Sequence, residues 1–145
     1  MGSRQRYAVF SNFEEKSIEA LRLGSSIFGE WQSVSMEEKT NGEALKMIIT
    51  PFESDGLSFS VPAHKHLSEM KFDGNMYADS GTGDKQGNSS SGKRVNDHVL
   101  EVDGQIDGKP EDSEEFTVSN GGKTLTIVSR PANSSAVFTM VWDKQ

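Results

Sequence analysis

The feature that most constrains this chain is its punctuation. After Gly24, turn-forming steps recur about every 8–12 residues, among them Asp55-Gly56, Asp73-Gly74-Asn75, Asp103-Gly104, Asp107-Gly108 and Asn120-Gly121-Gly122. Asp-Gly between apolar segments specifies a tight type I′ hairpin, because both central residues need φ > 0. The intervening segments are short: 28–35, 45–50 (stopped by Pro51), 57–61 (stopped by Pro62), 67–72, 98–102, 114–118, 123–128 and 136–142. No stretch between strands is long enough for a crossover helix, which excludes a parallel α/β sheet. The pattern predicts an all-β protein of about eight to ten short strands, arranged as a sandwich or as an antiparallel up-and-down barrel. The Gly- and Ser-rich run from Gly81 to Gly92 has no large apolar residue and reads as a mobile loop.

One short helix is expected before the strands. Ser11-Asn12-Phe13-Glu14 fits a capping box, in which a Ser hydroxyl and a Glu carboxylate each satisfy a backbone donor. Ile18 and Leu21 follow at helical spacing, and Gly24 suits a left-handed stop. Two or three turns of helix are not stable alone in water, so this one must dock on a neighbour. Residues 1–26 are therefore read as an N-terminal extension carrying a short helix, with Met1-Gly2-Ser3 resembling a cloning remnant, and residues 27–145 as the barrel domain.

The strand opening Gly29-Glu30-Trp31 carries the Gly-x-Trp step with which lipocalins and related calycins begin their first strand. Met70-Lys71-Phe72-Asp73-Gly74, the run from Val118 to Thr126 around Asn120-Gly121-Gly122, and the ending Val141-Trp142-Asp143-Lys144-Gln145 extend the likeness. Residues 28–145 thus resemble a group of uncharacterised bacterial lipocalin-like domains. The resemblance implies a small antiparallel barrel with a helix near its closed end and an apolar ligand inside. It also implies barrel closure by Gly29 and Trp31, with a basic residue from a late strand against the indole. Arg130 and Lys144 both qualify.

Composition removes several classes of function. The 145 residues carry 15 Lys and Arg against 22 Asp and Glu, a net charge of −7. Such acidity argues against nucleic acid, whose phosphates need Lys and Arg. There is no cysteine, so disulfides, thiolate metal sites and Cys nucleophiles are all excluded. The apolar runs are too short to span a membrane, and no signal peptide precedes them, so the chain reads as soluble, with compartment and oligomeric state left open. No cofactor is implied. Eight carboxylates lie between Asp97 and Glu115 against the single base Lys109, a run expected to form the solvated face of strands and turns.

The residues that bear on function fall into two sets. In an extended segment the side chains of His64 and His66 would point the same way, and with Glu69 nearby they resemble part of the first cupin metal motif. The spacing departs from that motif, and its second half is missing, so two exposed histidines on a loop are the expected state and no metal is assigned. The large apolar residues are the second set. On the closing strand Phe138, Met140 and Trp142 share one face, and the closing strand of a barrel lines its lumen. With Phe59, Phe72 and Phe116 they are the expected contacts of an apolar or lipid-like small molecule. Three functions follow: a small-molecule binding module, a cupin-like metal-dependent enzyme using His64 and His66, or a filled barrel acting as a structural or interaction domain.

Overall fold

A computed structural model describes residues 27–34, 39–40 and 43–145. The helix expected over residues 12–23 lies outside these. The described residues form twelve strands: β1 (Gly29–Ser33), β2 (Lys39–Thr40), β3 (Glu43–Ala44), β4 (Lys46–Phe52), β5 (Gly56–Val61), β6 (His66–Lys71), β7 (Tyr77–Ala78), β8 (Asn88–Arg94), β9 (Val99–Ile106), β10 (Lys109–Val118), β11 (Thr124–Pro131) and β12 (Phe138–Lys144). β2 and β3 make a small ribbon of their own. The other ten form one antiparallel sheet in the order β6-β5-β4-β1-β12-β11-β10-β9-β8-β7. No helix among the described residues is long and apolar enough to cross a membrane.

The order explains how the sheet coils into a nearly closed barrel. β1 lies between β4 and β12, so the first and last strands of the sheet meet in its middle. The two ends of the order are then β6 and β7, which are consecutive in the chain. Their backbones are joined by a loop rather than by a ladder. Ser80 N–H donates to Leu67 O at 3.0 Å, and Gly83 N–H donates to Lys65 O at 2.8 Å. Asp84 Oδ2 accepts from Leu67 N–H at 3.1 Å and from Gly81 N–H at 2.7 Å. The outward polar groups of Leu67 on β6 are thus satisfied without another strand. Side chains complete the seam: Ser68 Oγ on β6 and Ser90 Oγ on β8 both donate to Asp79 Oδ1, at 2.9 and 3.0 Å. Gly81 must be glycine here, because a Cβ would stand 2.2 Å from Lys65 O.

Alternation along the strands builds the core. Trp31, Met47, Ile49, Leu57, Met70, Phe116 and Leu125 are buried, most of them completely. Trp31 is wholly buried, and its Nε1 donates to Ile27 O at 2.9 Å. Lys144, its cross-strand partner in β12, places Nζ 5.1 Å from the indole centroid. Of the two expected basic residues the contact is therefore made by Lys144. Arg130 sits near the other end of β11, exposed and opposite Ser113. Gly29, at φ 142°, leaves the room that Lys144 Cε occupies, since a Cβ would come within 2.7 Å of it. Burial, followed by repulsion from Lys123, lowers the Lys144 pKa.

Three local expectations change. The run 81–92 is a loop only in its first part, and β8 begins at Asn88. Its lumen-facing residues, Ser90 and Gly92, are small because Met70 fills the space opposite Gly92, so the strand carries no apolar signature. Asp103-Gly104 is not a turn but lies inside β9, and β4 continues through Pro51 to Phe52. The Asp107-Gly108 step does turn, with φ of 52° and 80°.

Asp79→Ala leaves two buried serine hydroxyls without their acceptor, at roughly 1–3 kcal/mol for each unsatisfied group. The expected loss is about 2–4 kcal/mol in urea unfolding. Amides of the seam, including those of Leu67 and Ser80, lose hydrogen-exchange protection before those of Phe116 and Ile127.

Candidate functional site

β10 carries the change from core to site. Val118, Phe116, Glu114 and Asp112 alternate onto the lumen face. Their neighbours grade in the same direction. Val118 lies opposite Leu125 and Phe116 opposite Ile127, whereas Glu114 lies opposite Ser129 and Asp112 opposite Gly104. One end of the barrel is therefore packed with apolar side chains and the other is lined by acids. A register shift between Pro110 and Asp112 marks a bulge. A bulge re-aims neighbouring side chains, and here the consecutive residues Glu111 and Asp112 both reach the cavity. Gly104 makes this possible, because a Cβ there would lie 2.4 Å from Asp112 Oδ1.

The lumen holds a cavity of about 290 Å³. Its apolar wall includes Met47, Phe59, Val102, Phe116, Ile127, Met140 and Trp142. Its polar wall includes His64, His66, Asp79, Asn88, Ser90, Glu111, Asp112 and Glu114. Phe59 packs between two rings, its centroid 5.9 Å from Phe116 and 5.3 Å from His66, both tilted. Two buried polar atoms of the lining residues have no partner: Trp142 Nε1 and Asn88 Oδ1. Both residues border the cavity, and buried donors and acceptors are nearly always satisfied in folded proteins.

Of the expected ligand contacts, Phe59, Phe116, Met140 and Trp142 come together on this cavity. Phe72 does not. It borders a separate recess of about 20 Å³ with Leu57 and Arg94, where Arg94 lies 5.9 Å from its ring. Phe138 shares the row of Met140 and Trp142 but begins β12, is 56% exposed and is not among the residues that border the cavity.

The acidic run divides by parity. Asp97, Glu101, Asp103 and Asp107 are exposed, as expected. Asp112 and Glu114 turn inward, against the expectation of a solvated face. The signal for this lies in the sequence, since they continue the alternate row of Phe116 and Val118. Burial, and next the charges of Asp112 and Glu111, push the Glu114 pKa up to about 7. Asp112 is also raised, first by burial and then by Glu111, Asp103 and Asp79.

The histidines do not lie on one extended segment. His64 ends a 3-10 turn, Pro62–His64, and Lys65 follows in the left-handed region at φ 54° before His66 opens β6. Both reach the cavity. His66 Nδ1 lies 2.6 Å from Asp84 Oδ1. Burial opposes ionisation of Asp84, but bonds from His66, Leu67 and Gly81 outweigh it and hold the carboxyl below its ordinary value. His66, Asp79 and Asp84 offer donor atoms within 4.8 Å of one another, a spacing that a metal ion could use. Asp79 and Asp84 are already engaged in the seam, however, so these contacts account for the cluster without an ion.

Neither a comparison with protein-family models nor one with curated proteins returns a match. The geometry of the lumen is thus what bears on function.

The raised Glu114 pKa has a stability consequence. A carboxyl with a higher pKa folded than unfolded costs nothing below about pH 4.5, and a growing amount from there to about pH 7. Glu114→Gln is expected to match the parent at pH 4 and to exceed it by roughly 2–3 kcal/mol at pH 8. Urea melts across that range read the difference.

Proposed function

We propose that this domain is a small-molecule binding module of the lipocalin-like kind, whose ligand sits in the barrel lumen. The observation that carries the reading is the cavity of about 290 Å³, which combines an apolar wall with two unpartnered buried polar atoms, Trp142 Nε1 and Asn88 Oδ1. Ligand sites have this make-up: mostly apolar surface with a few polar groups that fix orientation. Phe59, Phe116, Met140 and Trp142 supply the apolar contacts. Met140 adds an adaptable surface, since its unbranched side chain fills irregular gaps.

The energetics suit a small ligand. Apolar burial contributes about 25 cal/mol per Å². Burying ~200 Å² of ligand surface then yields about 5 kcal/mol before any polar contact. The two unpartnered atoms add orientation, because a ligand that satisfies them removes their desolvation cost.

The test is a fluorescence titration with a small neutral naphthalene dye, on the parent and on Met140→Trp. Saturable binding by the parent, abolished when Trp fills the lumen, is the expected result. Equal binding by both places the dye outside the lumen. An absence of binding by the parent favours a filled barrel with a structural or interaction role.

A further inference from the structure

The charge of the lining narrows the class of ligand, on the reading that the lumen binds one. The cavity is bordered by His64, His66, Asp79, Glu111, Asp112 and Glu114, and among the described residues no Lys or Arg borders it. Asp79 is committed to Ser68 and Ser90, and His66 to Asp84. Glu111, Asp112 and Glu114 remain, all from one strand and without a basic partner in the lining. Carboxylates gathered in a low-dielectric cavity repel one another, and a cation relieves that repulsion. Asp112 and Glu114 lie on the inward row of β10, the register shift beside Asp112 brings the exposed Glu111 to the border of the cavity as well, and Gly104 clears the space Asp112 occupies.

Independent of the acids, Trp142 is 3% exposed, borders the same cavity, and has an indole N–H with no acceptor. It lies deeper in the barrel, opposite Ser33 and Leu125, beside the apolar wall. An occupant that meets it must place an acceptor there, and an aromatic face or a hydroxyl serves. At the acidic end Asn88 Oδ1 is an unpartnered acceptor and calls for a donor. One molecule answers both demands: an apolar, preferably aromatic body toward Trp142, and an N–H-bearing cation toward Asn88 and the carboxylates. A bare metal ion would meet Asn88 Oδ1 but leaves the Trp142 N–H without an acceptor. Among the described residues the metal-spaced cluster is His66, Asp79 and Asp84, and the β10 acids do not form one.

We propose that the lumen selects a small primary ammonium compound with an apolar body, held by Glu114, Asp112 and Asn88 at one end and by Phe59, Phe116 and Trp142 at the other. Fatty acids and other carboxylates are excluded by the same acids.

Isothermal titration calorimetry with three probes of matched body tests this at pH 8: 2-phenylethylamine, 2-phenylethanol and 3-phenylpropionate. Salt is kept at ~0.15 M, so that the acidic exterior is screened beyond about 8 Å. The amine is expected to bind at least tenfold tighter than the alcohol, and the carboxylate not at all. Glu114→Gln, and separately Asp112→Asn, should bring the amine-to-alcohol ratio to within threefold. Each variant is a check on the other should one fail to fold. If the alcohol binds as well as the amine, or the carboxylate binds best, selection for a cation is wrong while binding in the lumen stands. A preference for the amine that survives both variants places the cation outside the lumen and overturns the proposal. If none of the three binds, lumen binding itself fails, and the proposal with it.

Discussion

The carboxylate of Asp79, accepting from Ser68 on β6 and Ser90 on β8, sits where the ten-stranded sheet would otherwise present free edges. Backbone ladders join every other neighbouring pair of strands, but at this seam the closure depends on side chains and on a glycine-containing loop. An open edge is costly in two ways. It leaves backbone donors and acceptors unpaired, and it offers a template for unwanted strand pairing. Asp84 addresses the first by accepting from Leu67 N–H, while it also engages the His66 ring. The cavity exists because this seam holds: β6 and β8, which contribute His66, Asn88 and Ser90 to its wall, would separate without it.

The barrel has two chemically different ends because one strand carries two kinds of residue on the same face. At the apolar end Trp31 lies under the Lys144 ammonium and is anchored to Ile27 O. At the other end Glu114 and Asp112 extend the row of Phe116 and Val118 into acids. A buried charge destabilises a fold unless it is paired or neutralised. Glu114 meets that cost through a raised pKa, and a bound cation would meet it instead by pairing. The stability lost at the acidic wall is thus available to binding, a common pattern in functional cavities.

Much of this arrangement is legible in the order of residues along the chain. Hairpin steps and strand alternation specify the all-β antiparallel fold, and Trp31 is legible as a core residue, wholly buried under Lys144. Phe59, Phe116, Met140 and Trp142 are legible as lumen residues because each lies on an alternating apolar row. Phe138 shares that parity, yet alternation says nothing of depth along the barrel axis, and as the first residue of β12 it is exposed and off the cavity lining. Phe72 escapes the pattern for a similar reason: it follows β6 near the apolar end and borders a different recess. The inward turn of Asp112 and Glu114 runs against the rule that charged residues face water. Alternation overrides that rule, since both continue the row of Phe116 and Val118, and room for Asp112 comes from Gly104, which has the local appearance of half a turn.

The sequence by itself determined what local chemistry controls: which steps turn, which residues alternate, where apolar faces lie, and which side chains carry charge. The tertiary structure decided what depends on partners distant in the chain. It chose Lys144 over Arg130, because only Lys144 is in register with Trp31. It made a strand of Asn88–Arg94, whose small side chains have no β signature of their own but complement Met70 from β6. It joined Asp79 to two serines each 11 residues away along the chain, in opposite directions. Turn propensity and alternation act within a few residues, whereas register and seam closure depend on loop lengths and packing summed over the whole barrel.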